Sequence, residues 1–505
     1  MNVIYRMDTT KLYNDYQAHM QQIADVKYAI AVLQWDQETY MPPKGAAFRA
    51  RQTATLSEWA HRLFTEDSFK NQLLELNSRG DLDAAQKKNV ELSWYDYSQQ
   101  EKLTPEFVRT MSELVSKSYQ SWMAARKQNA FAVFAPDLTA LLELKKQEAD
   151  MLGYEGHPYN ALLNQYERGA TTGLLDRVFT QLQPPLKELL ANIAAQPPVK
   201  DDFLRQPFSK DQQWKFGMEV LRQMGFDFEA GRQDISEHPF TTNFSSRDVR
   251  VTTRIHENDF TSMTWSCIHE GGHALYEQGL PEAAYGLPLG EYTSLSIHES
   301  QSRLWENNVG RSIDGWQHFY PLAQQYFPEQ LGNIKPDDFY RAINKVRPSL
   351  IRTESDELTY HFHVLTRYEL EKQLLEGKLA VADIPAWWNA KYKELLDVTP
   401  PDDLHGCLQD VHWSHGSFGY FPTYSLGSFY AAQFFHAAGK QVPGLAEQIR
   451  KGQFQPLLNW LRINIHSHGR RYTSEELCER VTGAPLDIQY FIQYARDKYK
   501  QIYPF

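Results

Sequence analysis

Apolar residues recur at three- and four-residue spacing through most of this chain, with polar residues between them. The spacing predicts helices over 104–129, 173–195, 211–225, 357–376 and 486–501. Four Pro-Pro pairs punctuate the pattern: Pro42-Pro43, Pro184-Pro185, Pro197-Pro198 and Pro400-Pro401. Each predicts a helix boundary or a turn, because proline has no N–H to give and its ring clashes with the preceding turn. No internal repeat or low-complexity linker interrupts the series, which predicts one continuous helical body over 1–505. Residues 238–256, HPFTTNFSSRDVRVTTRIH, break the helical period. They are rich in Thr, Val, Ile and Phe, partly alternate, and predict two short strands about a turn at Ser245-Ser246-Arg247-Asp248. The fold class is therefore mainly α, with a small β-sheet just before the next helix.

That helix follows Asn258 or Asp259, either of which can cap it, and Gly279 followed by Pro281 predicts its end. Phe260, Met263, Cys267, Ala274 and Leu275 give it an apolar side. It carries His269-Glu270-Gly271-Gly272-His273. His269 and His273 lie one turn apart on one face, where two imidazoles can converge on one ion. Glu270 lies beside them, placed to accept a proton from a water activated there. Paired glycines inside a helix cost about 1 kcal/mol each against alanine. Gly271-Gly272 therefore predicts the close approach of another backbone or a ligand, as beside a peptide-binding cleft. Two solvent-facing histidines in a chain with 17 would give the same pattern.

A hydrolytic zinc site usually takes three protein ligands. After a Gly/Pro-rich loop at 279–290, the stretch EYTSLSIHESQSRLWENN predicts a second helix ending at Gly310, with Leu295, Ile297, Leu304, Trp305 and Val309 to bury. A helix–loop–helix hairpin of this length can bring Glu299 back over the two histidines as the third ligand. His298 beside it would hydrogen-bond substrate or support the site. The plain alternative for Glu299 is a helix-surface pair with Arg303 at i+4.

Composition narrows the function. The chain has 505 residues, 42% of them apolar and 13% aromatic, enough to build large cores. A formal charge of -11 and no Lys/Arg-rich run argue against a nucleic-acid surface. Three cysteines, Cys267, Cys407 and Cys478, cannot build a disulfide framework and read as buried small hydrophobes. Cys267 is two residues from His269, on another helix face, and reads as core. The opening MNVIYRMDTTKLYNDYQ has no apolar run of signal type, and no stretch approaches a membrane span. The expected setting is the cytoplasm, with no membrane partner.

The two histidines with Glu270, followed by His298-Glu299-Ser300-Gln301, resemble the thermostable (Taq-type) metallocarboxypeptidase family. His238-Pro239-Phe240, Asp248-x-Arg250-x-Thr252 and Gly406-x-x-Gln409-Asp410-x-His412-Trp413 match further motifs of that family. Ile351-Arg352-Thr353-Glu354-Ser355-Asp356 resembles another, with Ser355 in place of its usual alanine. The stretch from Trp35, WDQETYMPPKGAAFRARQ, and Tyr166-Glu167-Arg168 are also similar. The resemblance covers nearly the whole chain in order. It implies a deep active-site cleft in the helical body, removal of single residues from peptide C-termini with broad specificity, a homodimer, and zinc, which cobalt can replace. The metal core would span about 238–310, with cleft-lining segments at about 345–365 and 402–430.

The ion would then sit on His269, His273 and Glu299, with Glu270 as general base. An oxyanion needs a further donor, and DVHWSHGSFGYFPTY offers His412, His415, Tyr420 and Tyr424. Tyr420 is the first choice and Tyr424 the next; aromatic packing is the plain alternative. His412 joins the catalytic set, and Gln409 and Asp410 line the cleft near the ion. The resemblance points to Arg352 as reader of the terminal carboxylate, through two parallel hydrogen bonds. An i,i+4 pair with Asp356 is the plain alternative, and Asp356 could also orient the guanidinium. Asp248 and Arg250 read as braces of the sheet. An oligopeptidase or a dipeptide-releasing enzyme would share this metal core. A helical scaffold binding metal or peptides without turnover is the third reading, and Glu270 argues against it.

Overall fold

The five segments with the clearest helical period are helices in the computed structural model, which describes residues 8–505: Pro105–Gln128, Thr172–Ala194, Lys210–Met224, Tyr360–Leu375 and Gln489–Ile502. Thr104 and Thr171 cap the first two by accepting from backbone N–H groups of the first turn. Part of the opening stretch expected to carry no signal-type run lies outside the described residues, at 1–7. From Thr9 it is a helix to Thr39. Among the described residues no helix is long and apolar enough to cross a membrane.

One proline expectation is overturned. Pro184-Pro185 lies inside the helix Thr172–Ala194. Val178, Phe179, Leu182, Leu186 and Leu189 are all buried on both sides of the pair. Burying each such side chain contributes about 1.5–3 kcal/mol, enough to offset a helix-breaking cost of about 3 kcal/mol or more per proline.

The predicted hairpin is present, with β2 at Thr241–Ser245 antiparallel to β3 at Asp248–Thr253. A third strand, β1 at Gly231–Ile235, pairs parallel with β3 and completes the sheet in the order β1-β3-β2. Its sequence, GRQDI, has no apolar alternation, so nothing in its pattern marks it as a strand. Arg250 and Asp248 form a two-pronged pair on β3, and the guanidinium lies over Trp35 and Phe244, as a brace would.

The sheet lies on the helix Phe260–Glu277, which carries the two histidines. Asp259 caps it by accepting from the Thr261 N–H. Thr253 on β3 bonds Ser266, and the Cys267 thiol reaches Gln233 on β1. Cys267 is core as expected, and burial pushes its thiol up to about 12. The next helix, Leu295–Arg303, continues as a π-helix over Leu304–Gly310.

The close backbone approach expected at the paired glycines is present, and it comes from a packed helix. A Cβ at Gly272 would stand 2.6 Å from the Ser302 Cα, and one at Gly271 would stand 2.6 Å from the Leu221 side chain. Across the Glu299 helix, a Cβ at Gly427 on the helix Pro422–Gln441 would stand 2.6 Å from the Glu299 Cβ. Glu299 is thus clamped between two helices that approach through glycine.

Candidate metal centre

The helix pair brings three side chains to one point. The ligand atoms of His269, His273 and Glu299 all lie within 4.8 Å of one another. Glu299 Oε2 is 3.7 Å from His269 Nε2 and 3.4 Å from His273 Nε2. Ligands held about 2.1 Å from a tetrahedral ion lie about 3.4 Å apart, so two nitrogens and this oxygen fit a divalent ion such as zinc. The pairing of Glu299 with Arg303 is also present, through its other oxygen at 2.7 Å. The two readings are therefore compatible, since the pairing with Arg303 leaves Oε2 facing the two rings.

Buried partners turn each ring toward that point. His269 Nδ1 lies 2.9 Å from Glu306 Oε2, on the π-helix. Glu306 also accepts from Arg303 at 3.2 Å and Arg311 at 2.9 Å. Burial pushes the Glu306 carboxyl up, but Arg303, Arg311 and His269 outweigh it and hold it well below the usual carboxylate range. An ionised Glu306 can only accept, so His269 carries its proton on Nδ1 and keeps the Nε2 lone pair for an ion. His273 Nδ1 meets His298 Nδ1 at 2.6 Å, and His298 Nε2 reaches Glu277 Oε1 at 2.7 Å. Asn243 on β2 donates to the other Glu277 oxygen at 2.6 Å. This pattern assigns the His273 proton to Nδ1 and again leaves Nε2 free.

Burial, with His298 alongside, pushes His273 down to about 3, which keeps its ring neutral as a ligand must be. Burial pushes the Glu299 carboxyl up, but Arg303, His269 and His273 hold it well below the usual range. For Glu270 burial dominates and raises the carboxyl. Its Oε2 accepts from the Thr241 hydroxyl on β2 at 2.6 Å, so the sheet fixes the orientation of this carboxylate.

A second buried cluster holds the residues from the later motifs. Asp410 accepts from Arg352 Nε at 3.0 Å and from Arg367 Nε at 2.6 Å. Arg352 Nη1 donates to the Tyr360 hydroxyl at 3.2 Å, and the Tyr360 ring lies 4.6 Å beneath the Arg303 guanidinium. Arg352 is thereby tied to Glu299 through Tyr360 and Arg303. The segment 412–420 hangs on Glu371, which accepts from Trp413 Nε1, the Gly419 N–H and the Tyr159 hydroxyl at 2.8–3.0 Å. His412 Nε2 meets the Tyr424 hydroxyl at 3.2 Å, while its buried Nδ1 has no partner among the described residues. Burial, with Arg352 and Arg367 opposing Asp410, pushes His412 down to about 3. The Tyr420 ring lies 5.2 Å from His412 and 5.3 Å from Tyr424.

Three expectations change. His298 has both ring nitrogens engaged, with His273 and Glu277, so it offers no free nitrogen to a peptide and its place is support of His273. Gln409 is also saturated: its oxygen takes the Arg352 N–H and Arg367, and its amide nitrogen reaches the Leu350 and Gly406 carbonyls. It braces the cluster rather than facing substrate. Asp356 does not orient Arg352, since it accepts from the Arg347, Leu358 and Thr359 N–H groups instead. Asp410 takes that role, and because it occupies Nε and Nη2 of Arg352, the two-pronged edge is already committed.

Glu306 and Glu277 were missed, although the sequence held a signal for both. Glu277 falls four residues after His273 on one helix face, and Glu306 seven after Glu299. Arg367 and Tyr360 had none, because only the fold brings them to Arg352. Replacing Glu306 by Gln should weaken metal binding about 10- to 100-fold, the usual cost of losing such a partner. Competition with a chelating dye measures it, and unchanged affinity would remove Glu306 from the centre.

Beside Glu277 and Tyr292 opens a cavity of about 740 Å³.

Residues 15–499 match the carboxypeptidase Taq (M32) metallopeptidase family. Thermostable carboxypeptidase 1 of Thermus thermophilus is 40% identical over 489 residues, 94% of this chain and 95% of its own. Carboxypeptidase 1 of Bacillus subtilis is 38% identical over 486 residues, 96% of this chain and 97% of its own. The crystal structure of an M32 carboxypeptidase from Deinococcus radiodurans superposes with a TM-score of 0.96 at 40% identity, covering 98% of this chain and 100% of that one.

Proposed function

This chain belongs to the carboxypeptidase Taq (M32) family of metallopeptidases, and from that premise we propose that it removes single residues from peptide C-termini with broad specificity, Glu270 acting as general base. The observation that carries the reading is the convergence of His269, His273 and Glu299 within 4.8 Å beside a buried carboxylate.

A divalent ion held by those three residues would supply Lewis acidity, making a water nucleophilic and polarising the scissile carbonyl. Glu270 takes the proton of the attacking water and passes it to the leaving amine. Its raised proton affinity suits that shuttle, and Thr241 holds its carboxylate in place. Tyr420 donates to the developing oxyanion, with Tyr424 the alternative donor. Burial raises both phenols and keeps them protonated as donors. A neutral His412 holds the Tyr424 hydroxyl. Arg352 reads the terminal carboxylate through the Nη1 edge it shares with Tyr360, since Asp410 occupies the other edge.

Zinc is the proposed ion, with cobalt able to replace it. A homodimer, a cytoplasmic setting and a single peptidase domain over the whole chain complete the reading. All three cysteines are free and buried, in keeping with a reducing compartment.

Arg352→Ala tests the exopeptidase assignment. It should lower kcat/KM about 10- to 100-fold on peptides with a free C-terminus, the range of a lost charge-assisted contact. Peptides amidated at the C-terminus should lose little of their residual rate. Equal losses on both would remove Arg352 from carboxylate reading. Arg367 remains on Asp410 in this variant, so the cluster keeps a compensated charge.

A further inference from the structure

The cavity beside Glu277 runs past Tyr292 to Asp96 and Arg168, and its walls do not include Arg352, His412 or Tyr424. In a C-terminal peptidase the substrate upstream of the cleaved bond leaves the centre on the side away from the carboxylate reader. This cavity reaches the surroundings of the centre at Glu277 and Tyr292, both of which lie against His298, and so offers room there for that part of the peptide. Its anions are all engaged: Asp96 and Glu291 bind Arg470, and Glu277 binds Asn243 and His298. Among its cations Arg470 is spent on that pair, and Lys27 is exposed and lies over the Phe64 ring. Arg168 is half-buried and makes no hydrogen bond or ion pair with any described residue.

The backbone under Arg168 is fixed on both sides. Leu295 N–H donates to the Tyr166 carbonyl at 3.2 Å. The buried Glu167 carboxylate accepts from the Ser296 N–H at 3.1 Å and from the Ser474 hydroxyl. Gly169, at φ +86°, turns the chain and donates to Asn164 at 3.0 Å. Leu295 and Ser296 open the helix that carries Glu299. The turn is therefore referenced to the metal centre, with the Tyr166 ring 5.1 Å from Tyr420 and Arg168 two residues further along, on the cavity wall. Burial and the like charge of Arg470 disfavour the charged guanidinium, and Tyr95, Glu476 and Asp96 nearby offset them only in part. A half-buried guanidinium with no hydrogen-bonded partner among the described residues keeps its donors free for an anionic group that enters the cavity.

We propose that Arg168 is a specificity-determining residue that pairs with an acidic side chain of the peptide upstream of the cleaved bond. Guanidinium matches carboxylate in geometry and charge, and the half-buried cavity screens the pair less than open water does. The proposal rests on the carboxypeptidase reading above.

N-blocked peptides identical except for Glu or Gln, moved one position at a time upstream of the cleaved bond, test it. At one position kcat/KM should favour Glu over Gln by about tenfold, and added salt should reduce that ratio. Arg168→Gln should bring the ratio to about one, and Arg168→Glu should favour Lys over Gln at the same position. A merely structural role would lower the Glu and Gln peptides alike and leave their ratio unchanged. Arg168→Lys, which keeps the charge, should retain part of the preference if the neutral variant does not fold. A wild-type enzyme indifferent to Glu at every position overturns the proposal, and so does a preference that survives in Arg168→Gln. Release of dipeptides or internal pieces would contradict the single-residue reading instead, and the Glu/Gln ratio at the bond then cut would still report on Arg168.

Discussion

Glu270→Gln should keep a full metal complement and lower kcat by about 100- to 10,000-fold, the range that general-base catalysis supplies. The substitution is close to isosteric. Its amide oxygen can still accept from Thr241, which lies 2.6 Å from Glu270 Oε2, so the link between sheet and helix survives. What is lost is a buried group able to take and return a proton. The metal should stay, because His269, His273 and Glu299 converge without Glu270. Metal content by elemental analysis, set beside kcat on one peptide, separates the two effects. Near-full activity would mean that Glu270 is not the base.

Glu299→Ala should abolish activity by a different route, through loss of the ion. Glu299 Oε2 is the one oxygen that faces both Nε2 atoms. Without it two nitrogens remain, too few for the three-ligand site of a hydrolytic zinc. The variant also frees the buried Arg303 guanidinium from the partner it held at 2.7 Å, adding positive charge beside the cavity left by the side chain. Metal per chain should fall to near zero after dialysis that leaves the wild type loaded. Glu299→Gln, which keeps the shape and removes the charge, should lose most of its metal too. A full complement in Glu299→Ala would exclude this residue from the ligand set.

The two variants draw on parts of the structure that the sequence revealed to different degrees. Helical spacing located five of the helices but not the longest, Thr9–Thr39, and Asn258 or Asp259 marked the start of the one that carries the histidines, where Asp259 is the cap. The separation of His269 and His273 predicted a shared face, since helix geometry alone determines it. Glu299 could be guessed from the length of the hairpin. Its clamping through Gly272 and Gly427 could not, because that depends on which helices meet. Pro184-Pro185 misled, since a local rule for breaking helices says nothing about the buried residues that hold one together. Strand β1 has no alternation to read and exists because β3 offers it an edge. Tertiary partners likewise decided the roles of His298, Gln409 and Arg352. A sequence shows that each can hydrogen-bond, but not that His273, Arg367 or Asp410 will already have claimed those bonds.

Every role assigned above depends on His269 and His273 serving a metal-dependent enzyme that works from the C-terminus. A mass-spectrometric time course on an N-blocked peptide, with and without a chelator, tests it most directly. The expected result is a ladder of products shortened one C-terminal residue at a time, halted by the chelator and restored by zinc or cobalt. Internal cuts, dipeptide release, or cleavage indifferent to the chelator would contradict it.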